Sequence, residues 1–326
     1  MDSQDGHQVE FVQIEPTTRC NFICGFCCGR KMPMRSIAFD TFCRTLDVFP
    51  KVRHIELQGE GEPLLHGDFF KMARYAKEKG VKLSIITNGS LLRKTDVIPQ
   101  LIELNFEKVA VSVESTNPRE FKRIRGGVFE EVAAGIEELI GERNRRGLSR
   151  PVVGFAVTVL ESTVEAYPEI VALYQKLGMD GGITTQLLQC MESYVKTYEP
   201  AMLKELVSEE SALRFKQLRE KGKEVIGPTA KVGFYRELYD YPGPKRNTCP
   251  WLEKGVYVAA DGEMSPCPKI KESKSHSYGY VGAPSLASMA ATRNCMRGQL
   301  LRGEVPSSCA GCPEAEPCRG RPDSSN

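Results

Sequence analysis

Four cysteines fall between positions 20 and 28, in the run RCNFICGFCC: Cys20, Cys24, Cys27 and Cys28. The first three read C-x3-C-x2-C in a loop just after a short β-type run. Three thiolates on one short loop can hold three irons of a cubane iron–sulfur cluster and leave the fourth iron open to a substrate or cosubstrate. Zinc is the alternative, but a structural zinc ion takes four closed ligands, usually in C-x2-4-C pairs. Cys28 directly follows Cys27, and adjacent side chains in an extended loop point apart, so Cys28 is not expected to join the same cluster. Six of the other eight cysteines lie between 249 and 318. Cys249 and Cys267 flank VYVAADGEMSP, which reads as a β-hairpin turning at Asp261-Gly262. Cys309, Cys312 and Cys318 follow as C-x2-C-x5-C. The hairpin brings Cys249 and Cys267 together, and the knuckle supplies two more thiolates. Cys43 and Cys190 stand alone and read as packing residues.

The bulk of the chain is an ordinary globular composition: 326 residues, 41% hydrophobic and 26% charged. With 44 basic and 42 acidic residues the net charge is +2, which provides no electrostatic footprint for nucleic acid or an anionic membrane. There is no apolar run long enough to span a bilayer. The polar start, MDSQDGHQVE, lacks a signal-peptide core, so a cytoplasmic location is expected. In a reducing compartment clustered cysteines are metal or redox ligands rather than disulfides.

The elements that must position these thiols alternate. Strand-like runs at 11–16, 54–58, 82–89, 108–115, 152–160 and 182–188 are interleaved with helix-like segments at 36–49, 69–80, 128–147 and 164–178. That rhythm predicts an α/β fold, a parallel sheet wrapped by helices and curled into a partial (β/α)6 barrel over residues 1–190. Residues 191–246 break the alternation and read as a helical connecting arm, with one amphipathic helical stretch over 201–225. Residues 247–326 read as a small cysteine-rich domain of short segments.

C-x3-C-x-Φ-C, with Phe26 at Φ, after the first strand of such a chain resembles the radical S-adenosylmethionine (SAM) enzymes. Motifs in the order that family has them follow at strand ends: GEGEP at Gly59–Pro63, Thr87-Asn88-Gly89, and Ser112-Val113-Glu114. The resemblance implies a [4Fe-4S] cluster on Cys20, Cys24 and Cys27, whose open iron chelates SAM. Its reductive cleavage yields a 5′-deoxyadenosyl radical that abstracts hydrogen from an unactivated C–H bond. It also implies SAM contacts from Phe26, Gly59, Glu60, Gly61, Glu62 and Asn88, from Ser112 and Glu114 on one strand face, and from Arg123 or Arg125, Arg125 being preferred. An external one-electron donor such as flavodoxin or ferredoxin goes with that chemistry.

The cysteine-rich tail resembles the SPASM/twitch auxiliary-cluster domain of many such enzymes. Its opening C-x12-G-x4-C and its C-x2-C-x5-C match, while position 322 is proline where the longer form has a further cysteine. The resemblance implies one auxiliary [4Fe-4S] cluster on Cys249, Cys267, Cys309 and Cys312, with Cys318 as an additional candidate ligand and two clusters as the alternative. Cys295 is the candidate hydrogen donor, with Cys190 and Cys28 as others. The implied function is oxidoreductase or epimerase chemistry on a small metabolite: a sugar, cyclitol or natural-product intermediate. Ten residues precede the first strand, which favours a small molecule over a peptide bound through a leader domain. Peptide maturation is the alternative, and a non-enzymatic zinc protein the remote one.

Overall fold

The structure, a computed structural model, describes residues 8–229, 232–240, 248–270, 276–282 and 285–312. Six strands alternate with helices: β1 (Phe11–Ile14), β2 (His54–Leu57), β3 (Lys82–Thr87), β4 (Lys108–Ser112), β5 (Val152–Val159) and β6 (Ile183–Leu187). All neighbours pair in parallel, in the simple order β6-β5-β4-β3-β2-β1. Helices α1 (Phe39–Val48), α2 (Phe69–Glu78), α3 (Val97–Glu103), α4 (Pro118–Arg125), α5 (Phe129–Arg145) and α6 (Tyr167–Lys176) occupy the crossovers. This is the partial-barrel form of an α/β fold.

Local chemistry explains the elements. β5, VVGFAVTV, is largely buried and rich in β-branched residues, as suits a strand covered on both faces. α5 carries Glu130 and Glu131 in its first turn and Arg143 and Arg145 in its last, each sign matching the helix dipole. α4 begins at Asn117, whose side chain accepts from the N–H groups of Arg119 and Glu120. It stops at Gly126 in the left-handed region.

Several features depart from the pattern. The stretch expected as one helix over 201–225 divides into α8 (Pro200–Leu203) and α9 (Glu209–Ile226), after a short α7 (Glu192–Val195). Ser208 caps α9 through its hydroxyl, and that cap sets the new start. α3 and α4 are too short to print a clear helical period, and α10 (Phe234–Tyr239) follows them in this. The tail contains a seventeen-residue helix, α12 (Ser285–Leu301), where only short segments were expected.

The hairpin forms as β7 (Gly255–Val258) and β8 (Glu263–Ser265), with Gly262 at φ +87°. α11 (Pro250–Lys254) precedes it, and β9 (Gly279–Tyr280) adds a third antiparallel strand. β7 pairs in parallel with β1, Phe11 opposite Gly255, so the sheet runs on without a break from the barrel into the hairpin. Cys249 and Cys267 are thereby attached to the barrel's own edge. Among the described residues no helix is long and apolar enough to cross a membrane.

Candidate active site

The early cysteines sit on a loop built by backbone pairing. Thr18 N–H donates to Arg35 O at 3.0 Å, and the Thr18 hydroxyl donates to Pro33 O at 2.8 Å. On the other side Ile23 N–H donates to Arg125 O at 3.0 Å and Gly25 N–H to Ile124 O at 3.2 Å. The loop is thus fastened to the last turn of α4. A Cβ at Gly126 would lie 2.3 Å from the Ile23 side chain, so only glycine lets the two approach.

Cys20 is exposed, Cys24 buried and Cys27 half-buried. The Cys20 sulfur accepts from Phe22 N–H at 3.4 Å and from Asn88 Nδ2 at 3.9 Å. Arg125 Nη1 donates to Cys24 Sγ at 3.7 Å. Burial pushes the Cys24 thiol up to about 11, and Arg125 acts against that rise. Burial also raises the Cys27 thiol, reinforced by Glu60, to whose Oε2 the thiol donates at 3.4 Å. Arg125 and Glu114 form a buried two-point ion pair. Burial opposes the guanidinium charge, but Glu114 and Cys24 outweigh it and hold the pKa up. The Arg125 guanidinium also lies 5.7 Å from the Phe26 ring centroid. Arg123 instead meets Glu205 at 3.1 Å and Ser162.

Beside this loop, Gly59 to Glu62 follow β2. A Cβ at Gly61 would be 2.2 Å from Thr17 O and 2.5 Å from Arg19 O, so this glycine permits a close backbone crossing. Glu60 N–H donates to Glu15 Oε1 at 2.7 Å. The buried Glu62 carboxylate accepts from Thr87 Oγ1 at 2.8 Å, Asn88 N–H at 2.7 Å and Leu64 N–H at 3.1 Å. Burial raises its pKa and those three donors restrain the rise.

The late cysteines converge from separate elements. Cys249 caps α11, Cys267 follows β8, and Cys309 and Cys312 form a turn in which Cys312 N–H donates to Cys309 O at 2.9 Å. Cys249, Cys267 and Cys309 pack on the cluster of Leu252, Ile270, Met296 and Leu300. Burial drives the Cys267 thiol far up, and Cys249, Cys309 and Cys312 add to it. Burial pushes Cys309 up to about 12, with Cys312 and Cys249 contributing. These thiols feel one another's charge. Among the described residues, however, no three Cys, His, Asp or Glu side chains converge on a point that would suit a single metal ion.

One cavity of about 750 Å³ is lined by Cys20, Cys24 and Cys27 and also by Cys249, Cys267, Cys309 and Cys312. Phe26, Gly59, Glu60, Gly61, Glu62, Asn88, Ser112 and Arg125 line it too. Glu114 meets the site through Arg125 rather than at the wall. Cys295 is exposed on α12 and is not part of the cavity wall, and neither are Cys28 and Cys190. Cys318 lies outside the described residues. The donor sets fit iron–sulfur groups: soft thiolates around open space, and a buried cation beside the early trio to offset anionic charge.

Sequence reasoning missed the strap between the two sets. Tyr194 Oη donates to Pro268 O at 3.2 Å, next to Cys267, and Tyr198 Oη donates to Gln189 O at 3.0 Å. Cys190 Sγ lies 3.9 Å from Gly311 O, between Cys309 and Cys312. Tyr198 and Met202 share a packed cluster with Phe26. Tyr235 Oη lies 2.8 Å from Oε1 of both Gln13 and Gln58. Tyr194, Tyr198, Tyr235 and Trp251 all line the cavity. The run of tyrosines at 194, 198, 235 and 239 was the available signal, though without a motif spacing to mark it.

Comparison with known proteins follows this geometry. Residues 14–179 match the family model described as the Radical SAM superfamily. The chain is 26% identical over 333 residues to the tungsten-containing aldehyde ferredoxin oxidoreductase cofactor-modifying protein of Pyrococcus furiosus, covering 95% of this chain and 89% of that protein. It is 33% identical over 111 residues to the S-adenosylmethionine-dependent nucleotide dehydratase of Selenomonas ruminantium, covering 33% of this chain and 40% of that protein. Among solved structures, anSMEcpe with bound AdoMet and Cp18Cys peptide superposes with a TM-score of 0.66 at 17% identity, covering 94% of this chain and 86% of the other. At that identity the likeness is one of fold.

Proposed function

Because the chain belongs to the radical SAM superfamily, an enzyme family working with SAM and a [4Fe-4S] cluster, we propose that it abstracts hydrogen from an unactivated C–H bond of a small metabolite and oxidises or epimerises the resulting centre, with help from an auxiliary [4Fe-4S] cluster. The observation that carries this reading is the single cavity walled by both cysteine sets. When bound, the early cluster and SAM supply a 5′-deoxyadenosyl radical as the hydrogen acceptor.

In this reading Cys20, Cys24 and Cys27 hold the first cluster, and Arg125 offsets its charge at Cys24. Gly61 brings the backbone close, and Asn88, Ser112 and Glu62 orient SAM from neighbouring strand ends, the side of a parallel α/β sheet where ligands gather. Cys249, Cys267, Cys309 and Cys312 would hold the auxiliary cluster, a group that would supply an electron acceptor at the wall of the same cavity. Aromatic, amide and hydroxyl side chains stand among aliphatic ones in the lining, a surface suited to excluding water while orienting a polar metabolite.

The relative that spans nearly the whole chain is named for modifying a cofactor, and the partial one for a nucleotide. Both names support a small-molecule substrate. A peptide substrate is the second reading, favoured by the fold neighbour whose structure holds a peptide.

The test is iron, sulfide and zinc content after anaerobic reconstitution, on the parent protein and on a Cys20/Cys24/Cys27→Ala variant. About eight irons in the parent and four in the variant are expected for one auxiliary cubane. Zinc without iron in the variant would remove the electron-acceptor role. The parent should also release 5′-deoxyadenosine from SAM once reduced.

A further inference from the structure

Residues 16–39 contain Arg19, Arg30, Lys31 and Arg35 and no acidic residue. Two of these cations are engaged: Lys31 meets Glu199 at 3.7 Å and Arg35 pairs with Asp261. Arg19 and Arg30 line the cavity, and so does Lys269 on the loop after Cys267. None of these three side chains has an ion-pair or hydrogen-bond partner among the described residues. The loops that carry them adjoin, and Arg19 and Arg30 are exposed. Thr18 ties residues 18–19 to 33–35, and Met32 and Ile270 share the wall of a small adjoining pocket.

Two carboxylates line the same cavity, and both are occupied. Glu62 is wrapped by its three donors, and Glu60 takes the Cys27 thiol. Arg125, the remaining cation in the wall, is paired with Glu114 and reaches Cys24. Arg19, Arg30 and Lys269 are therefore the cations of this wall that no carboxylate among the described residues engages. The same cavity is lined by flat rings, including the only tryptophan of the chain, Trp251, with Tyr194, Tyr235 and Tyr239. Guanidinium and ammonium groups select oxyanions, and aromatic faces accept planar rings.

We propose that Arg19, Arg30 and Lys269 form a phosphate subsite in the cavity wall, and that the second ligand is nucleotide-like, a phosphate chain joined to a planar ring. This inference rests on the small-molecule reading above and names its substrate class.

The experiment is calorimetric titration of the reconstituted protein, saturated with SAM, with three probes: GTP, guanosine and inorganic tripolyphosphate. GTP is expected to bind more tightly than either fragment. Arg30→Ala and Lys269→Ala should each weaken GTP and tripolyphosphate by at least ~10-fold, the scale of one charged hydrogen bond, and leave guanosine unchanged. Arg30→Lys should restore part of the loss. Iron content and SAM affinity, measured on the same samples, should not move. GTP binding that is absent, or indifferent to both variants, overturns the proposal. Tripolyphosphate binding as tightly as GTP overturns the planar-ring half. A fall in SAM affinity in Arg30→Ala overturns it differently, by assigning that cation to SAM. If the parent binds neither iron nor SAM, the radical SAM reading of the site fails first, and that result is visible without any nucleotide.

Discussion

Arg125, the last residue of α4, grips Glu114, just beyond β4, through two nitrogens, while its third nitrogen reaches Cys24 Sγ at 3.7 Å. Both partners of the pair are nearly inaccessible to water. One side chain thus satisfies a buried carboxylate and places positive charge on a candidate cluster ligand.

Removing it should be costly in two separable ways. Arg125→Ala leaves Glu114 as an unpaired buried charge, a change worth about 3–5 kcal/mol, so the chemical-denaturation midpoint of the apo-protein should fall. Arg125→Ala/Glu114→Ala, in which no charge is stranded, should recover much of that stability. It should not recover the cluster: the visible absorbance and reduction potential of the reconstituted double variant should still differ from the parent. Equal recovery of both would mean that Arg125 acts only as a structural partner.

Glycine at position 61 is a steric necessity. An added methyl would meet two carbonyl oxygens at 2.2 and 2.5 Å, and these belong to backbone that cannot swing away. Gly61→Ala should therefore destabilise the fold by about 2 kcal/mol or more and lower iron incorporation, because it pushes on the residues adjoining Cys20. Gly67→Ala is the control, since nothing lies within 4 Å of its added methyl. Melting temperature and iron content measured together on both variants check this.

Glu56 predicts a pH dependence. Gln13, Glu56, Ser84 and Lys108 fall opposite one another across β1 to β4, in the barrel interior. Among the described residues Glu56 Oε1 has no hydrogen-bond partner, and burial pushes its carboxyl up to about 8, with Lys108 pulling the other way. A raised carboxyl pKa means the folded chain holds a proton that the unfolded chain has released. Stability is then lost as pH rises from about 4.5 toward 8, and levels off above it. Glu56→Gln removes this slope, so the variant should be the more stable at pH 8, by roughly 4 kcal/mol, and near parity at pH 5. Urea unfolding at the two pH values decides it; equal differences at both would show that Glu56 is ionised in the fold.

The barrel was legible because its signals are local and periodic. The near-continuous apolar run of β5 and the glycine stops after α2 and α5 can be read residue by residue. The early cysteine loop was legible for a related reason, since all three thiols lie within one turn of chain and their spacing is itself the constraint. α3, α4 and α10 were not, because helices of six to eight residues carry barely two turns of pattern. The break at Ser208 was hidden inside a charged stretch whose helical period continues on both sides of it.

By itself the sequence determined the alternation of strands and helices, the thiol trio after β1, the strand-end motifs at Gly61, Asn88 and Ser112, and the hairpin between Cys249 and Cys267. Each depends on neighbours a few residues apart. Tertiary structure alone decided that β7 pairs with β1 and so brings the late thiols to the cavity that the early ones line. It alone decided that Arg125 chooses Glu114, that Tyr194 reaches Pro268, and that the side chains of Arg19, Arg30 and Lys269 find no partner among the described residues. The pairings among them join residues from 11 to 244 positions apart. They are set by how buried charge, backbone hydrogen bonds and apolar surface are satisfied together, which no local spacing records.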